Sequence, residues 1–90
     1  NLKSAIKRVR QNEKRRMRNR MVRSRMRTYL SKARADVETA DPATAAEAVR
    51  QAVAELDKAA RKGVIHPNAA ARRKSALMKR LNAQQKAAEQ

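Results

Sequence analysis

The chain has 90 residues, with 24 Lys or Arg against 8 Asp or Glu, giving a net charge of +16. That length suits one small domain, and that charge calls for an anionic partner or surface. The absence of Cys excludes disulfides, thiolate metal sites and Cys nucleophiles, and no apolar run approaches the ~20 residues needed to span a bilayer.

From Leu2 to Ala40 there is neither Gly nor Pro, and good helix formers predominate, so a first helix is expected over about 2–40. Residues 1–35 hold fourteen basic side chains and a single acidic one, Glu13. At about 100° per residue the charges reach every side of this helix, and only a surrounding polyanion would offset their repulsion. Val22, Met26, Tyr29 or Leu30, Ala33 and Val37 recur at spacings of three and four, giving an apolar face. Before Met21 the apolar positions Leu2, Ile6, Val9 and Met17 are sparser. The helix therefore divides into a distal half for the partner and a proximal half that packs. At ~1.5 Å per residue it would extend on the order of 60 Å and project from so small a domain.

Asp41-Pro42 suits an N-cap followed by the first helical position, and a second helix is expected over about 42–62. Its apolar face comprises Ala45, Val49, Ala52, Val53, Leu56 and Ala60. The charge inverts here: residues 36–57 carry six acidic side chains and one basic, an acidic element expected to turn away from the partner. Gly63 fits the left-handed position that ends helices, and Val64-Ile65 form an apolar link closing the bundle. Pro67 opens a third helix over about 67–82, with Ala70, Leu77, Met78 and Leu81 inward and a fraying polar tail. Period-two alternation is absent. The expected fold is all-α, a single three-helix bundle over 1–90 with an overlong, highly basic N-terminal helix. Its alanine-rich core predicts modest stability alone and a gain from the bound partner.

Enzyme chemistry has little to work with. His66 is the only His, beside a helix start, and is foremost a turn residue that can also touch a phosphate. The carboxylates are spread over helical surfaces, and with one Gly there is no phosphate loop, so no catalytic residue, metal, cofactor or small-molecule substrate is expected. The basic run keeps helical propensity and favours Arg, whose planar fork suits bidentate phosphate contacts. Tyr29 alone offers no stacking platform for single strands, so the target is a folded or double-stranded nucleic acid read through phosphates and shape. Neutralising about 8–10 phosphates gives a log–log salt slope of roughly −6 to −9. A DNA-compacting protein is the alternative. A membrane-active helix would gather its charges on one face and ranks low.

Several segments carry a more specific resemblance. They are Lys3-Ser4-Ala5-Ile6-Lys7-Arg8, Asn12-Glu13-Lys14-Arg15-Arg16 with Arg18-Asn19, and Ser24-Arg25-Met26-Arg27-Thr28. Further on come Leu56-Asp57-Lys58-Ala59-Ala60, Lys62-Gly63-Val64-Ile65-His66, Asn68, Ala70-Ala71-Arg72, Lys74-Ser75 and Leu77. Together they resemble the S-twenty family of bacterial-type small-subunit ribosomal proteins over roughly residues 1–82. The resemblance implies a three-helix bundle that binds small-subunit (16S) ribosomal RNA directly and helps assemble and hold its helices. It implies a first helix threaded among RNA helices of the 5′ domain and reaching the penultimate 3′ helix. Contacts with other ribosomal proteins are expected to be few or peripheral, with no membrane partner. The implied location is the ribosome, in the bacterial cytoplasm or a plastid. Pro67 stands where the family commonly has a basic residue, and family chains usually begin two residues earlier with Met-Ala, so Asn1 is not expected to be the encoded start.

The residues expected to contact RNA from the first helix are Lys3, Ser4, Lys7, Arg8, Arg10, Asn12, Lys14, Arg15, Arg16, Arg18, Asn19, Arg20, Arg23, Ser24, Arg25, Arg27 and Thr28. A second region around the start of the third helix comprises Lys62, His66, Asn68, Arg72, Arg73, Lys74 and Ser75.

Overall fold

The structure, a computed structural model, describes residues 2–89 as three helices in an up-down-up arrangement. They are α1 (Leu2–Thr39), α2 (Pro42–Arg61) and α3 (Pro67–Glu89). No strand occurs among the described residues.

The turns between helices are built from their own sequence. Asp41 sits in the extended region, and its carboxylate accepts from the Thr44 N–H at 3.2 Å and from the Thr44 hydroxyl at 2.6 Å. Pro42 then begins α2 without wasting a donor. At the other end Gly63 has φ +74°; its N–H bonds Ala60 O at 3.0 Å, while the Val64 N–H bonds Ala59 O at 2.9 Å. This is the Schellman arrangement, which satisfies the last carbonyls and turns Val64 inward, where it is buried. His66 opens α3: its Nδ1 accepts from the Asn68 N–H at 3.1 Å and its carbonyl accepts from the Ala70 N–H.

The core lies beside α2, which packs against both other helices, whereas α1 and α3 touch only lightly. Met26, Leu30, Ala33 and Val37 of α1 meet Ala45, Ala48, Val49, Ala52, Leu56 and Ala59 of α2, and α3 contributes Leu77 and Leu81. Leu30, not Tyr29, is the buried member of that pair; Val22 and Tyr29 pack partly buried at the margin.

Three sequence expectations are corrected. Met78 is 46% exposed, because it stands about 100° round α3 from Leu77, outside the narrow face that α3 presents. On α2, Val53 and Ala60 are only half-buried, while Ala48, Glu55 and Ala59 are buried. A helix held between two others buries a wide sector, wider than an apolar-only reading of its face allows. Finally, α3 does not fray after Asn82 but continues to Glu89. Residues Ala83 to Ala88 are Ala, Gln and Lys, all good helix formers, and Gln84 Nε2 donates to Ala40 O at 2.9 Å, pinning the last turns to the α1–α2 corner.

Candidate nucleic-acid interface

The Cα trace measures 69 × 21 × 13 Å, of which the 38 residues of α1 supply about 57 Å of length. From Leu2 to Met21 every residue is exposed. The loop after α2 reaches α1 near Val22, where Lys62 and Val64 line one hollow with Arg15, Arg18 and Asn19. Beyond that point no described residue of another element packs on α1, which leaves about thirteen residues, ~20 Å, projecting clear of the bundle.

Lys3, Ser4, Lys7, Arg8, Arg10, Asn12 and Lys14 stand exposed on this segment, and Arg15, Arg16, Arg18, Asn19 and Arg20 stand exposed at its base. One open groove runs along α1 past Arg16, Asn19, Arg20, Arg23, Arg27 and Ser31. Its arginines at 16, 20, 23 and 27 recur at four, three and four residues and so share one face. A row of guanidinium groups at one per turn, ~5.4 Å apart, presents paired N–H donors to a chain of phosphates. Among the described residues no carboxylate lies within ion-pair distance of any of the four.

The proximal candidates are less uniform. Arg23 is exposed but donates to the Val64 carbonyl at 3.3 Å, which orients its guanidinium and leaves further donors free. Thr28 spends its hydroxyl proton on the Ser24 carbonyl at 3.0 Å, so toward a ligand it offers an acceptor. Arg25 is held by the molecule itself: its Nε donates to Glu55 Oε1 at 3.0 Å, and its guanidinium lies 5.3 Å from the centre of the Tyr29 ring. The hydrogen bond to Glu55, then the charge of Glu55 and that of Tyr29, raise its pKa above the ordinary guanidinium value. Glu55, buried on α2, also has Lys58 Nζ at 3.6 Å. Lys74 is similarly tied, donating to Asp57 Oδ1 at 3.0 Å from a half-buried position.

Around α3 the structure brings Lys62 to the α1 groove and leaves His66, Asn68, Arg72, Arg73 and Ser75 exposed. Because His66 Nδ1 accepts from the Asn68 amide, its Nε2 is the protonated nitrogen of the neutral ring and a donor toward solvent. Two cations that sequence reasoning missed belong with this region. Arg34 of α1 and Arg80 of α3 line one groove with Arg72 and Arg73. A signal was available: Arg34 follows Arg27, and Arg80 follows Arg73, by seven residues, two turns on the same face.

Among the described residues there is no cluster of His, Asp or Glu able to hold a metal, and no helix long and apolar enough to cross a membrane. The family model described as ribosomal protein S20 matches residues 1–82. A "Small ribosomal subunit protein bS20" of Thermomicrobium roseum is 54% identical over 87 residues, covering 97% of this chain and 88% of that protein. Its namesake from Cutibacterium acnes is 55% identical over 82 residues, covering 91% and 93%. The one from Halalkalibacterium halodurans is 54% identical over 82 residues, covering 91% and 90%.

Proposed function

The chain belongs to the ribosomal protein S20 family, and from that premise we propose that it binds small-subunit ribosomal RNA directly, through phosphates and shape, and holds RNA helices together. As a member it is a structural component of the small ribosomal subunit, in a family of ribosomal proteins rather than enzymes. The observation that carries the RNA reading is the exposed cationic start of α1 together with the arginine row at 16, 20, 23 and 27 that follows it, which joins no ion pair among the described residues. Like charge gathered this densely is offset when phosphates stand opposite it.

The resemblance adds finer expectations to this reading: α1 lies among RNA helices of the 5′ domain and reaches the penultimate 3′ helix. The mechanism is neutralisation where RNA helices approach one another, with α1 as the rod between them and His66 and Lys62 at its base. Binding to small-subunit RNA fragments and to length-matched duplex DNA, measured across a salt titration with tRNA competitor, tests it. The expected result is a persistent preference for 5′-domain RNA at physiological salt, with a log–log slope of roughly −6 to −9. Parallel curves without preference would reduce the protein to a generic polyanion binder, and equal affinity for DNA would favour a DNA-compacting role.

A further inference from the structure

We infer that the groove between α1 and α3 lined by Arg34, Arg72, Arg73 and Arg80 is a second phosphate-binding site, which continues the arginine row of α1 and takes the backbone of a further RNA segment. The inference rests on the RNA reading above and extends it from Arg72 and Arg73 to Arg34 and Arg80.

The groove exists because α1 and α3 both pack on α2 and hardly on each other. Their facing flanks stay apart over a floor formed by Leu77, which is buried, and Ala76. Arg34, Arg72, Arg73 and Arg80 line the groove around that floor. The ion pairs among the described residues, Arg25–Glu55, Arg50–Glu47, Lys58–Glu55 and Lys74–Asp57, leave all four out. On α3 itself there is no acidic residue before Glu89. Glu38, one turn beyond Arg34 on α1, does not pair with it. Like charges gathered without a counter-charge destabilise the free protein, and an anion between them reverses the sign.

Position decides which anion. Arg16, Arg20, Arg23, Arg27 and Arg34 recur on one face of α1 over eighteen residues, ~27 Å, and the last of them is also the first wall of the groove. A ligand that spans this track meets a cation at four successive turns and again two turns further on. A nucleic-acid backbone has that regularity, whereas an acidic protein segment would need a matching run of carboxylates. The planar forks add bidentate geometry, which Lys would not supply.

The test uses the full chain and the RNA fragment that the wild type prefers. In the Arg34→Gln/Arg80→Gln double variant the log–log salt slope should become shallower by roughly 2, about one for each phosphate no longer neutralised. Backbone footprinting should lose one discrete protected stretch and keep the rest. A Lys32→Gln/Arg50→Gln variant removes equal charge beside Glu47, away from the groove, and should leave the footprint whole. The Arg34→Lys/Arg80→Lys variant keeps the charge and guards against loss of fold; it should restore the slope while protection of that stretch weakens. An unchanged footprint in the folded glutamine variant overturns the site, whether the groove is idle or faces an acidic protein. A wild type that shows no preference for small-subunit RNA defeats the RNA reading itself, and the two failures are thereby distinct.

Discussion

At Glu55 and Asp57 the acidic side of α2 withdraws Arg25 and Lys74 from the cationic surface and turns them into internal ties. Arg25→Gln should therefore lower the thermal midpoint and barely change RNA affinity, because it leaves buried Glu55 with Lys58 alone. Arg20→Gln, fully exposed and without an acidic partner, should do the reverse, making the salt slope shallower by about one. Paired thermal melts and binding titrations check both. Asp41 gives a second prediction. Hydrogen bonds from the Thr44 hydroxyl and then the Thr44 amide hold its carboxyl below the ordinary 3.8. The stabilisation is thus full above pH 3.8 and is lost as pH falls through the folded value. The advantage of the wild type over Asp41→Ala in thermal midpoint should be constant near neutrality and shrink on acidification below that range. The residue types of the site were legible in the sequence, since charge and helical propensity stand in plain view. The ties were not: Arg25 and Glu55 are thirty residues apart, and only the packing of α1 on α2 brings them together.

Among the elements, starts and stops were written locally and read correctly at Asp41-Pro42, Gly63 and Pro67. At Gly63 a Cβ would meet nothing within 4 Å, so Gly63→Ala carries the left-handed backbone penalty alone, roughly 1 kcal/mol in denaturant unfolding, and Gly63→Asn less. The end of α3 was not legible, because its anchor is a bond from Gln84 to Ala40, a residue at the far end of a different turn. The projecting half of α1 is a different case. It has no packed face, and its like charges three and four apart oppose the helix by a few tenths of a kcal/mol per pair. In free protein this half should be partly unfolded, and RNA should order it. Far-UV circular dichroism is expected to gain helical signal on adding the RNA fragment; a free protein already fully helical through residue 20 would refute this.

Over the whole molecule, α2 serves as the spine to which one long and one shorter cationic helix are fastened, and the charge pattern along the chain becomes a division of surfaces. The acidic stretch does not simply face away from the partner: each carboxylate of α2 pairs with a base, Glu55 with Arg25 of α1, Asp57 with Lys74 of α3 and Glu47 with Arg50 of its own helix. The basic residues left over lie along α1, at Arg61 and Lys62 where α2 ends, and on the exposed side of α3.

A body 69 Å long and 13 Å thick also constrains how it can leave its place. A compact protein on a surface departs by breaking its contacts at once. A rod enclosed lengthwise must slide out end-first or wait until the walls around it open. Its residence time would then be set by rearrangement of the surrounding RNA more than by the strength of any single arginine, and exchange between finished particles would be far slower than dissociation from a naked fragment.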